Sequence, residues 1–480
     1  MFGVLECRKH LQPLLLLSLI ITAGCTESGR LPPVLNDLEV EGAKTALNPP
    51  FDPAVFRYSI IANDQVNAVS FTPFADPSVL ITINGHLTSS GTPETISELT
   101  AGDTVQIKVH WVDRRRAKST LYEVVYLPSD FPELNVTILE NGVSSDPLYV
   151  NLNGPSSNYV AVLDNHGVPT FYRRDDQRVF DFKWHAATGE RSYARLTGTR
   201  NQWGRRNSEQ VVLDSSFNEV DRITTVGLSH TDQHDFLIQP NGELVLLSYD
   251  GRLRDLTVFG LTAEELVEDS VVQIVDRATR QVLFEWNSWG QVPYEDQTYP
   301  ETRGEYAHVN SVFVDSDGSI IISARGTSQV VKISRPGGQV LWKLGGKSNQ
   351  FEFINDPFSH LCGQHTASVL ENGNLLVFDN GQNCWPINPA RGDLTRVVEY
   401  RIDELTMEAE LVWSYTQDGA YTVSQGSAQR LANGNTLLGW GRGPGILATE
   451  VNNEGIKVFE IIAFDGDRPV IGYRARRFPE

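Results

Sequence analysis

Six times between residue 158 and the C-terminus the chain runs strand, polar turn, strand. The copies are NYVAVLDNHGVPTFYRR from 158, SEQVVLDSSFNEVDRI from 208, VVQIVDRATRQVLFEW from 271, QVVKISRPGGQVLWKL from 329, RVVEYRIDELTMEAELVWSY from 396 and KVFEIIAFDGDRPVIGYRAR from 457. Their starts lie 50 to 67 residues apart, room for four strands and their loops. A unit of that size cannot bury its apolar face alone, so it must stack on a like neighbour. Six units predict a six-bladed β-propeller over residues 131–480, with the last unit forming the same hairpin as the first. A second element interleaves: NGELVLLSYD from 241, DGSIIISARG from 317, NGNLLVFDNG from 372 and NGNTLLGWGR from 433 each place a turn before an apolar strand, as the inner hairpin of a blade would. One stretch, LTAEELVED at 261–269, has helix-forming composition and reads as a helical loop insertion.

At 480 residues the chain exceeds one ordinary core, and the region before the repeats supplies a second unit. Over residues 31–130, short alternating runs such as RYSIIAND, AVSFTPF, VLITING, TVQIKVHW and LYEVVYL are separated by turn signals, which predicts a small β-sandwich. The order of these runs resembles the cadherin-like β-sandwich modules of bacterial surface proteins, and the resemblance implies a spacing or contact role. The fold class is therefore all-β, a small N-terminal sandwich followed by the propeller. A net charge of −20 excludes nucleic acid as a partner, because phosphate binding needs a basic surface.

The first 24 residues read as an export signal: Arg8, Lys9 and His10 precede LLLLSLII, and TAGC ends at Cys25. The pattern resembles a bacterial lipobox, which implies lipidation at Cys25 and makes that anchor the chain's contact with a membrane. Thr22 departs from the usual aliphatic residue, so cleavage and free export is the alternative. Thr26 after the cysteine implies, by the same resemblance, sorting to the outer membrane and a periplasmic location. Cys7 leaves with the signal, and Cys362 and Cys384 are expected to form a disulfide in an oxidising compartment, two buried thiols being the alternative.

The chemistry is expected just before the inner hairpins. His234 stands seven residues before Asn241-Gly242, His365 seven before Asn372-Gly373, and His308 nine before Asp317-Gly318. The matching position before Asn433-Gly434 is Gly426, so the repeat itself does not require histidine. Equivalent positions on successive inner strands converge at one end of a propeller channel, so the three histidines should meet. Arg325 returns to the end where His308 enters, and Asn310 lies between them. His230 and His360 fall outside the register; HxxxH and HxxxxH spacings would suit a metal, but the chain lacks dense Cys/His ligand spacing, and no metal is expected. LGGKS at 344–348 lacks the first glycine of a phosphate loop and reads as a turn.

The stretch AHVNSVFVDSDGSIIISARGTSQVVKISRPGGQVLWKLGGK, followed by GQHTASVLENGNLLVFDNG, resembles the periplasmic arylsulfotransferases of bacteria that work without a nucleotide sulfate donor. The resemblance covers roughly residues 130–480. It implies an N-terminal β-sandwich before a six-bladed propeller, and transfer of a sulfuryl group from an aryl sulfate to a phenol. It further implies that His365 is transiently sulfurylated, that His308, Arg325 and His234 hold the group, and that Asn310 helps to bind it. No diffusible cofactor is implied, and a homodimer is the assembly left open. A non-catalytic surface-binding propeller and a sulfatase-like hydrolase are the competing expectations, separated by an aryl sulfate assay with and without added phenol.

Overall fold

The computed structural model describes residues 31–479 apart from 67, 112–117, 201–205, 299–303 and 383–392. Its regular structure is β-strand with a few short 3₁₀ turns. The export signal, Cys25 and Cys384 lie outside the described residues.

Two sheets form the N-terminal unit. One has three strands, Asp37–Glu41, Ala68–Phe74 and Glu94–Ser97; the other has five, with Arg57–Ile61 running parallel to Ser119–Leu127. Strict alternation decides the faces. Val105, Ile107 and Val109 point inward along Thr104–Trp111, where they meet Phe71, Ile81 and Tyr122 in one core, while their neighbours face solvent. Phe131 and Leu127 leave that unit and pack on Tyr159 and Leu148, so its far end is seated on the sheets that follow.

Six sheets follow. The second, third and fourth each consist of four consecutive antiparallel strands, and the fifth adds Glu352–Ile354 parallel to Glu408–Thr416. The interleaved turns at 241, 317, 372 and 433 each join two adjacent antiparallel strands, as the sequence predicts. The first and sixth sheets differ from that expectation. Lys457–Asp465 takes its long outer partner from Glu133–Leu139, at the start of the six-sheet region, and only Arg468–Pro469 returns beside it. The last strand, Ala475–Arg477, instead completes the first sheet against Leu148–Asn153. The last unit is thus not a copy of the first; its hairpin partner is replaced by a strand more than 300 residues away.

Each pair of successive sheets shares a core. Tyr149 and Val160 meet Phe182 and Val211; Val212 meets Leu244; Val245 and Ile274 meet Val312 and Ile322. Ile321 and Val330 meet Val377 and Val398, Leu376 and Val397 meet Leu438, and Leu437 and Phe459 of the sixth sheet meet Leu148 and Ala161 of the first. Both faces of every sheet are therefore covered, which is why the central strands read as nearly continuous apolar runs.

Residues 261–269 are not a helix. Glu265–Asp276 is a twelve-residue strand whose first half pairs with Arg254, Leu253 and Arg252. Helix propensity there amounts to tenths of a kcal/mol per residue, and a long partner strand offering a continuous hydrogen-bond ladder outweighs it.

Candidate active site

The innermost strands place the polar cluster. Val309–Val314 and His365–Val369 each slip register at their first residues, between Val309 and Ser311 and between His365 and Ala367. Such a bulge inserts an extra residue and re-aims the side chains around it. The backbone there is left-handed at non-glycine positions: φ is +48° at His308, +42° at Thr366 and +69° at Gln425. Residues held this way cost about 1–3 kcal/mol each and concentrate at functional sites. In the sixth sheet the corresponding position is Gly426, and a Cβ there would lie 2.3 Å from the Phe378 ring. Glycine at that point makes room for a core aromatic.

The rings of His234 and His308 lie 5.2 Å apart, with Tyr249 5.8 Å from the first and 5.7 Å from the second. Tyr473, from the C-terminal segment, stands 5.8 Å from His234. Every histidine of the cluster has its Nδ1 held. Asp232, wholly buried, accepts from His234 at 2.7 Å and also from its backbone N–H. Glu305 lies 2.5 Å from Nδ1 of His308. For His365 the partner is an amide, Asn380, whose Oδ1 is 2.8 Å away.

That amide settles a proton. Asn380 Nδ2 donates to the carbonyls of Thr422 and Gln425 at 3.2 and 2.9 Å, so its oxygen must face the imidazole. Nδ1 of His365 therefore carries the hydrogen, and Nε2 carries the lone pair. In this state Nε2 accepts the backbone N–H of Gln425 at 3.0 Å.

Electrostatics separate the histidines. Burial, then the Arg325 guanidinium and the neighbouring imidazoles, hold His365 well below the ordinary histidine range, against a weaker opposing effect of Asn380. Burial also lowers His308, opposed by Glu305. Asp232 would be raised by burial, but the charge and hydrogen bond of His234 pull it down. Arg325 is 5% exposed, donates its backbone N–H to the His308 carbonyl at 3.0 Å, and reaches Gln382 Oε1 through Nη2 at 2.5 Å.

The sequence-predicted residues come together, though not all in the same way. Asn310 is fully buried and donates to the Gln364 carbonyl at 2.9 Å, bracing the residue before His365. His230 and His360 stay outside the cluster. His230 pairs through Nε2 with the Arg206 carbonyl at 3.0 Å and stacks beside Tyr249; His360 packs near Phe353. Sequence reasoning missed Asp232, Glu305, Asn380 and Tyr249, the groups that orient the histidines. Asn380 sits in the FDNG turn and Asp232 two residues before His234, and neither spacing announces a contact.

Residues 207–463 match the family model described as arylsulfotransferase, and residues 35–127 match the cadherin-like β-sandwich domain. Arylsulfate sulfotransferase AssT of Escherichia coli O6:H1 is 31% identical over 179 residues, covering 31% of this chain and 30% of that protein. The protein of the same name from Lelliottia amnigena is 30% identical over 154 residues, covering 27% and 26%. The alignments thus span under a third of either relative. A solved structure, a protein of unknown function from Bacteroides caccae, is similar with a TM-score of 0.44 and 13% identity over 70% of this chain and 100% of its own.

Proposed function

Because the chain belongs to the arylsulfotransferase family, we propose that it moves a sulfuryl group from an aryl sulfate to a phenol in two steps through His365. The observation that carries this reading is the Asn380-fixed tautomer, which leaves a neutral imidazole with its lone pair on Nε2 beside a buried arginine. In the first step Nε2 forms an N–S bond as the bond from sulfur to the aryl oxygen breaks. The phenolate leaves with that electron pair and takes a proton from a carboxylate-backed histidine, His234. Arg325 offers its planar fork to the sulfuryl oxygens. Sulfurylation displaces the Gln425 N–H from Nε2 and frees it to donate to a sulfuryl oxygen. In the second step the acceptor phenol gives its proton to the same base, its oxygen attacks sulfur, and the N–S pair returns to Nε2. Carboxylates behind two histidines suit proton transfer; an amide behind the third suits a nucleophile that must stay neutral. Brief exposure to an aryl sulfate without acceptor should leave a sulfuryl group on the peptide bearing His365, located by mass analysis. A labelled peptide without His365 would overturn the assignment.

The six sheets are, in this reading, the blades of a six-bladed β-propeller over residues 131–480, with the residues 31–130 module seated on it. The exchange of strands between the first and sixth sheets, and the core those two share, support a closed ring. Cys25 as a lipid anchor, and a periplasmic, outer-membrane location, belong to the same proposal, as does the Cys362–Cys384 bridge. Cys362 is completely buried, three residues before His365. The bridge spans 22 positions, worth about 3 kcal/mol by chain entropy. Mild reduction should lower transfer before circular dichroism changes; alkylation of both cysteines in the native, unreduced protein would contradict the bridge.

The pH dependence follows from the sign of the His365 shift. The nucleophile is the unprotonated form, and burial with Arg325 keeps its pKa depressed. Donor cleavage should therefore hold as pH drops through about 6.5, the ordinary histidine value, and fail only further into acid. An acid limb at or above that value would show that His365 is not the neutral nucleophile.

A further inference from the structure

A cavity distinct from the histidine cluster lies along the same inner strands. It begins at Asp235, Ser311 and Thr366, one to three residues beyond His234, His308 and His365, and encloses about 280 Å³. All six sheets line it. Trp184, Phe313 and Phe478 are partly exposed on its walls, the first and last with ring centroids 6.0 Å apart. Its size is that of a site for one small ligand.

Its floor is charged and unbalanced. Lys183 pairs with Asp181 and lies 2.5 Å from Asp235; Arg474 lies 3.0 Å from Asp181 and 3.2 Å from Asp235. Those two carboxylates are already shared by two cations when Arg476 arrives, and its closest approach is 4.0 Å to Asp181. Arg476 Nε is buried with no hydrogen-bond partner among the described residues, and the side chain keeps 20% of its surface open where it lines the cavity. His185, also on the wall, is held neutral by burial and by Lys183, so it adds no charge. Arg474 donates to the Asn310 carbonyl at 2.9 Å, which ties this ionic layer to the backbone beneath the histidine cluster.

A buried guanidinium short of acceptors, facing a small chamber walled by aromatic rings, has the complement of one kind of ligand: an aromatic ring bearing a single oxyanion. We infer that this cavity binds a small aromatic sulfonate, sulfate or carboxylate, its anionic group on Arg476 and its ring between Trp184, Phe313 and Phe478. The inference does not rest on sulfuryl transfer. Benzenesulfonate is a suitable probe because its carbon–sulfur bond offers no ester to transfer.

Calorimetry of the purified protein with benzenesulfonate should show binding that weakens about tenfold or more in Arg476→Met, the loss of one charge-assisted contact. Arg476→Lys, which keeps the charge and loses the planar fork, should retain part of it. A benzoate arm identifies the preferred anionic group; inorganic sulfate alone, lacking the ring, should bind at least about tenfold more weakly. Should Arg476→Met fail to fold, Ser368→Phe, which fills the chamber from its wall, must abolish binding in its place. Absence of binding to wild type, or unchanged binding in Arg476→Met, would overturn the site. Sulfate binding as tightly as benzenesulfonate would overturn the aromatic half of the inference.

Discussion

His365→Asn should abolish transfer from aryl sulfate to phenol, and release of the donor's phenol with it. Asparagine approximates the polar reach of the imidazole toward Asn380 but has no lone pair on an sp² nitrogen able to form the N–S bond. Losing the nucleophile of a covalent mechanism removes both half-reactions together, whereas losing only a binding group would leave residual turnover. Rates with a chromogenic aryl sulfate, with and without phenol, measure both steps, and circular dichroism verifies the β fold. Wild-type transfer in this variant would end the proposed mechanism. Phenol release persisting without transfer would point instead to water attacking sulfur directly.

Arg325→Lys should lower turnover by about 10²–10³-fold, the range seen when one preorganised donor to a developing oxyanion is removed. The substitution keeps the positive charge and loses the planar fork, so the comparison isolates geometry from charge. Two effects follow from the surroundings. The backbone bond from residue 325 to the His308 carbonyl does not depend on the side chain, so the fold should survive. The Arg325 charge acts on both His308 and His365, and a lysine ammonium on a flexible stem retains only part of that action. The acid limb of the pH profile should then move upward, toward the ordinary histidine value. A lysine variant with wild-type turnover would show that Arg325 does not hold the transferring group.

Much of the site was legible before the fold because the repeat makes sequence spacing a proxy for height along a strand. His234 and His365, each seven residues before an Asn-Gly turn, enter at the same level, and His308 is two residues further from its turn. The rings of His234 and His308 nonetheless lie 5.2 Å apart, next to the register slip at Val309. The partners of the histidines do not repeat. Asp232 precedes its histidine by two residues, Glu305 by three, and Asn380 follows by fifteen, from the neighbouring strand's end. Each is a local answer to one ring's orientation, and a periodic pattern carries no trace of it.

Alternation and turn chemistry are local properties of the chain, so the sequence by itself determined the all-β class, the turn positions and the residues able to face one axis. Strand partnership is not local. Lys457–Asp465 could pair with any strand of matching pattern, and only the assembled structure chose Glu133–Leu139, because stacking the sixth sheet on the first brings the two ends of the six-sheet region side by side. The same tertiary choice turned an apparent helix at 261–269 into the start of a twelve-residue strand. It also brought Tyr473 beside His234, 239 residues earlier in the chain, and tied Arg474 to the Asn310 carbonyl. Propensity and pattern act over a few residues with fractions of a kcal/mol, while burial of a shared apolar face acts over the whole interface and decides which ends meet.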